Sequence, residues 1–222
     1  MGKRPYKVAI SALLFLPALR FFAGGWAVVT LDQLPDHFVA TRPVTLSFVV
    51  RQHGVAPLNN VRPTLDARSG GRQVAARVER GSKDGQYVAS FSIPEPGEWT
   101  VAIYSGWGDS RLTLLPIRAV APGSAQPIAL AAADRGRQLF VAKGCVGCHI
   151  RKEAELDQGG SIGPALTGKR YQAEFLSRFL ADPAGNATNT GTFRMPNLGL
   201  QPAEIASLAA FLNSERVTAT GH

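Results

Sequence analysis

The chain has 222 residues, 45% hydrophobic and 18% charged, long enough to bury one or two cores and too apolar to stay disordered. Its formal charge of +8 is uneven: Lys3, Arg4, Lys7 and Arg20 supply +4 within the first 25 residues, which carry no acid. Residues 26–126 and 127–222 each hold ten basic and eight acidic side chains with no block of one sign, a pattern that argues against nucleic-acid binding.

The chain opens MGKRPYKVAISALLFLPALRFFAGGWA, with basic residues ahead of a twelve-position apolar run at 8–19. That run is too short to span a bilayer and suits the core of a signal peptide. Ala23 and Gly25 provide small residues for cleavage before Trp26. The alternative is an uncleaved anchor over residues 8–29, interrupted by Arg20, through which the protein associates with the membrane. Both readings of residues 1–25 export the chain to the periplasm or the extracytoplasmic face of the cell membrane.

Residues 26–120 are expected to form an all-β domain. Short alternating, β-branched segments at 26–31, 44–52, 63–68, 72–78, 87–93, 98–105 and 111–120 read as strands. Gly70-Gly71, Asp84-Gly85 and Pro96-Gly97 fall between them as turns. Regular short strands of this kind predict an antiparallel sandwich. The stretches DQLPDHFVATRPVTLSFVVRQHG and GQYVASFSIPEPGEWTVAIYSG resemble small bacterial immunoglobulin-like domains, in particular the YtkA-like domains of exported proteins. The resemblance implies core or corner positions for Tyr87 and Trp99. His37 and His53 are the polar residues here that raise the question of copper, but two histidines without nearby Cys or Met make a poor soft-metal site.

Residues 121–129, beginning APGSAQP, read as a linker, and the period then changes to helical. ADRGRQLFVAKG puts Gly136, Leu139 and Phe140 on one face, and YQAEFLSRFLADP does the same with Phe175, Phe179 and Leu180. The last helix is expected from Pro202, with Glu204 in its first turn and Ile205, Leu208, Ala209 and Leu212 at helical spacing. A second, all-α domain over 130–216 follows, with a tail at 217–222.

The only two cysteines stand in GCVGCHI, as Cys145 and Cys148 followed directly by His149. The spacing admits a redox dithiol, half of a zinc site or a covalent haem attachment. Zinc lacks ligands here, since only His222 joins His149 in this domain. A thioredoxin-like dithiol requires a strand leading into the motif, and the residues before Cys145 read as helix. The haem reading has its own chemistry: two thiols three positions apart add to porphyrin vinyl groups, and the next imidazole lies under the iron as an axial ligand. Met195, the only methionine besides Met1, stands in the loop FRMPN, where a thioether fits the sixth position.

With Gly136, Phe140, CVGCH, GPAL at 163–166, Met195-Pro196 and Phe211 in order, residues 130–216 resemble a class I monohaem cytochrome c. The resemblance implies one covalent haem c held by Cys145 and Cys148 and ligated by His149 and Met195. It also implies that the Pro164 carbonyl orients the His149 ring, and that Gly136 and Phe140 pack against the last helix near Phe211. Relatives carry Trp in the middle helix where this chain has Phe175 and Phe179. GPALTGK at 163–169 imitates a phosphate loop, but Arg170 stands where Ser or Thr would bind magnesium.

These features predict an exported electron-transfer cytochrome rather than an enzyme. Its partners are expected to be redox proteins, with a membrane respiratory or photosynthetic complex as the site of action and the sandwich as a dock. Val146, Ile162, Phe193, Pro196 and Leu198 are candidate haem-edge contacts, and Lys143, Arg151, Lys152 and Arg194 candidates for steering an acidic partner. The rival readings are a peroxidase or gas sensor with a displaceable Met195, and a copper-delivery or assembly module using His37 and His53.

Overall fold

The computed structural model describes residues 25–154, 162–185 and 194–214. The signal or anchor segment up to residue 24, Phe193 and the tail lie outside them.

Eleven strands fill the first half among the described residues. They are β1 (Ala27–Leu31), β2 (Phe38–Val39), β3 (Pro43–Gln52), β4 (Ala56–Pro57), β5 (Thr64–Ser69), β6 (Arg72–Ala75), β7 (Arg77–Arg80), β8 (Gln86–Ser92), β9 (Gly97–Tyr104), β10 (Arg111–Thr113) and β11 (Ile117–Val120). One sheet runs β1-β3-β8-β7 with β4 added on β3; the other runs β2-β11-β9-β5-β6 with β10 added on β9. All pairs are antiparallel except β2 with β11. This order fits an immunoglobulin-like sandwich. Alternation sends Leu46, Phe48 and Val50 of β3, Tyr87 and Ala89 of β8, and Trp99, Val101 and Ile103 of β9 into the space between the sheets. The buried aromatics satisfy their polar ends on the backbone: Tyr87 Oη donates to Leu58 O at 2.9 Å, and Trp99 Nε1 to Glu95 O at 3.1 Å.

Two expected strands are divided. Residues 72–78 form β6 on β5 and β7 on β8, so the chain changes sheets at Ala76, whose N–H donates to Leu65 O at 2.9 Å. Both pieces are largely exposed, so their side-chain pattern carries no signal of which neighbour they pair with. Residues 111–120 split into β10 and β11, both on β9, and the register slips between Thr113↔Ala102 and Ile117↔Trp99. One extra residue is accommodated there, next to Pro116, which has no N–H for a ladder bond.

The second half has three helices among the described residues: α1 (Ala132–Ala142), α2 (Ala173–Ala181) and α3 (Pro202–Asn213). None of the described helices is long and apolar enough to cross a membrane. Gly136, Leu139 and Phe140 of α1 are buried against α3, where Phe140 and Phe211 meet with ring centroids 5.6 Å apart. A Cβ at Gly136 would overlap the Ser207 carbonyl and reach 2.7 Å from Phe211 Cβ, so the crossing needs glycine. Gly136→Ala is therefore expected to cost about 2 kcal/mol, the scale of overpacking, despite alanine's better helix propensity. A lowered urea midpoint at unchanged slope would show it, and an unchanged midpoint would mean the helices can separate freely.

α2 departs from expectation. It buries Leu176 and Leu180, while Phe175 is 43% exposed and Phe179 half-buried. Tyr171, Phe175 and Phe179 instead stack in a row, with centroids 6.4 and 5.6 Å apart and both interplanar angles 21°. Residues at i and i+4 share a face, but either of two adjacent apolar stripes can be the one turned to the core. One buried cluster runs through both halves of the molecule, from Val29 and Leu31 to Val141, Ala142 and Val146.

Candidate functional site

Helix α1 stops at Ala142 because Gly144 takes φ 76°, the left-handed region. The chain then makes a short 3-10 turn over Cys145–Gly147. Cys145 O accepts from the N–H groups of both Cys148 (3.1 Å) and His149 (2.9 Å). One turn thus presents both cysteines and the histidine together.

Both thiols are free. Burial pushes the Cys145 thiol up to about 12, with the neighbouring Cys148 adding to the shift, and burial also raises Cys148. Alkylation needs the thiolate. Iodoacetamide is therefore expected to label Cys148 ahead of Cys145 in the folded haem-free chain, both slowly at pH 7. Peptide mass spectrometry reads the order, and Cys145 labelling first would contradict its burial.

His149 Nδ1 lies 2.9 Å from Pro164 O. A carbonyl only accepts, so Nδ1 carries the proton and Nε2 keeps the lone pair. Burial lowers the imidazole's pKa, and the Pro164 hydrogen bond partly opposes this. The ring is thus held neutral and aimed. A Cβ at Gly163 would overlap this ring, so glycine lets the chain pass there. The loop lies along the motif through three bonds: Gly163 N–H to Cys148 O (2.9 Å), Leu166 N–H to Ile150 O (2.9 Å) and Lys152 N–H to Thr167 Oγ1 (3.0 Å).

Arg151 is buried and joins this loop to the end of α3. Its Nη1 donates to Leu166 O (3.1 Å) and Leu212 O (3.2 Å), its Nη2 to Phe211 O (3.0 Å) and Ser214 O (3.3 Å). The guanidinium also lies 4.9 Å from the Phe211 ring centroid, with Glu153 Oε2 3.4 Å from Nε. Lys143 is buried too, its Nζ 2.8 Å from Glu204 Oε1 and donating to Asp32 O at 2.7 Å. Neither cation faces solvent, so the expectation that they steer a partner is corrected; Lys152 and Arg194 are exposed. Val146, at 3% exposure, is likewise no surface contact, whereas Ile162 is exposed and Pro196 and Leu198 half-buried.

Met195 is half-buried and packs on the core. Its loop is tied to the end of α2 by Asn197 Nδ2, which donates to Ala181 O at 3.3 Å, and is closed by Gly199 N–H on Asn197 Oδ1 at 2.9 Å. The start of α2 is tied near Arg151, with Tyr171 N–H donating to Asn213 Oδ1 at 2.8 Å beside the α3 carbonyls that Arg151 binds. The stacked aromatic row therefore runs from the His149 loop toward the Met195 loop. His37 and His53 belong to the sandwich, and no group of three or more His, Cys, Asp or Glu among the described residues could hold a metal ion.

Sequence reading missed Gly163, Arg151 and Lys143 as structural parts of the site. Gly163 was legible only as part of GPAL, and an isolated basic residue carries no mark of burial.

The cytochrome c family matches residues 133–215. No curated protein matches the chain. Among twelve matching solved chains are surface layer protein SbsC, domains 1-6, and the ZirS C-terminal domain. The first is 14% identical at TM-score 0.33, covering 46% of this chain and only 14% of that one. The second is 10% identical at TM-score 0.33, covering 54% of this chain and 86% of that one.

Proposed function

We propose, on the match of residues 133–215 to the cytochrome c family, an exported haem-binding carrier passing single electrons through one covalent haem c. Cys145 and Cys148 would hold the porphyrin, and His149 Nε2 and the Met195 thioether would hold its iron. When bound, the haem supplies an iron that changes between ferric and ferrous states.

The chain's residues suit that group. The single observation carrying the assignment is the His149–Pro164 contact beside two free thiols on one turn. Pro164 holds the imidazole proton on Nδ1 and makes the ring a better donor at Nε2. The row of Tyr171, Phe175 and Phe179 provides flat apolar surface between the two ligand loops, where it would exclude water from the porphyrin face. With His149 and Met195 both holding the iron, the chain would leave no open ligand position for a substrate, and the group would exchange electrons with a docked partner. That partner is a redox protein, with a membrane respiratory or photosynthetic complex the site of action.

The test is a haem stain of the exported protein on a denaturing gel. A band that survives denaturation and is lost in the Cys145→Ser/Cys148→Ser double variant is expected; exported protein without haem would overturn the assignment. Fractionation adds the location: release only by detergent, with larger subunits, fits a fixed member of a membrane complex, whereas release by salt contradicts it.

A further inference from the structure

We propose that the β-sandwich is a wall of the haem site, closing its Cys148 side against water and redox partners, so that the cofactor site extends to Trp26, Val28 and Gly54. The inference rests on the haem reading above and reaches residues far outside the family match at 133–215.

The attachment turn is seated on the sandwich. A Cβ built on Gly54, in the turn after β3, would lie 3.6 Å from Val28 Cγ2, 3.7 Å from Trp26 Cη2 and 3.9 Å from Cys148 Sγ. Two sandwich side chains and the second cysteine's sulfur thus converge on one backbone position. Val28 also lines the other side of the turn: a Cβ on Gly147 would lie 3.1 Å from its Cγ2, and one on Gly144 would lie 2.5 Å from Val29 O. The turn meets β1 at Gly144 and Gly147, and the approach at Gly144, whose Cβ would also lie 2.6 Å from Val28 Cγ1, needs glycine.

Polar contacts fix the two halves around this seam. Lys143, the residue before Gly144, is 2% exposed and joins Asp32 O of the sandwich to Glu204 of α3. On the outer side, Arg135 Nη2 donates to Leu34 O (2.5 Å) and pairs with Asp36 Oδ1 (2.9 Å), and Nη1 donates to Pro35 O (3.3 Å). A buried cation satisfied by both halves has no equivalent partner set once they part, so separating them would strand a charge. Domains merely tethered by the 121–129 linker would carry neither that pair nor a shared apolar cluster.

The consequence concerns the route of electrons. A partner approaching from the Cys148 side meets β1 and the turn after β3, which lengthens the transfer distance. Ile150 and Ile162, flanking His149 and Gly163, are by contrast 41% and 38% exposed. Exchange is therefore directed to the His149–Pro164 side. The apolar cover of Val28 and Trp26 also keeps water from that edge, which raises the potential relative to an open edge.

The experiment uses the full haem-loaded protein with a protease site inserted in the exposed linker between Ser124 and Ala125. After cleavage the halves are expected to co-elute on gel filtration with the midpoint potential unchanged. Val28→Asp, which puts a carboxylate against Gly147 of the attachment turn, is expected to lower the potential of the uncut protein and to let the cut halves separate. Separation of the cut Val28 protein with its haem spectrum and potential intact would overturn the wall while leaving the haem assignment standing. A purified chain without covalent haem would instead remove the assignment itself, and the wall with it.

Discussion

Met195→Ala is expected to lower the midpoint potential by a large part of the roughly 0.8 V that axial ligation spans, and to let the reduced protein bind carbon monoxide rapidly. A thioether stabilises ferrous iron more than water or hydroxide does, so its removal favours the oxidised state. Met195 is the one methionine beyond Met1, in a loop held to α2 through Asn197 and closed by its own Asx turn. The loop has no need of the thioether to keep its course, so the variant should fold. Met195→His separates ligation from packing: it should block carbon monoxide again while leaving the potential low. Rapid carbon monoxide binding by the unaltered protein, with little change on Met195→Ala, would favour the sensor or peroxidase reading.

The second large effect is on stability. Arg151→Met is expected to cost about 3–5 kcal/mol, the loss typical of removing one member of a buried charged network. Four carbonyls, three of them at the end of α3, lose a charged donor, and Glu153 loses the cation beside it. Since domains are stable by only about 5–15 kcal/mol, such a variant approaches the threshold of folding. Arg151→Lys keeps the charge but not the fork that reaches several carbonyls at once, so it should recover only part of the loss. Urea unfolding of the haem-loaded protein measures both. A cost below about 1 kcal/mol for Arg151→Met would mean the carbonyls find water instead.

Much of the site could be read from local chemistry. Cys145, Cys148 and His149 are neighbours in sequence, so their closeness is given by the chain itself. Met195 was reached as the one methionine beyond Met1, standing in a polar loop, whereas Pro164 was reached by resemblance, because nothing in a lone proline announces a histidine partner. Phe175 and Phe179 show the limit: helical spacing put them on one face, but Leu176 and Leu180 make an equally good face, and packing against α3 chose the leucines. Lys143 and Arg151 were read as surface cations because composition marks charge and not the carbonyls waiting for it.

The sequence by itself determined the two-part architecture, a β-rich half followed by helices, because periods of 2.0 and 3.6 are properties of consecutive residues. It also placed Cys145, Cys148 and His149 next to one another, which no tertiary contact is needed to arrange. The tertiary structure alone decided which strands share a sheet at Ala76, which stripe of α2 is buried, and that Val28 lies against Gly147 and Gly54 near Cys148. Those outcomes depend on contacts between residues as much as about 120 positions apart, whose fit is a matter of shape and partner satisfaction that no local pattern encodes.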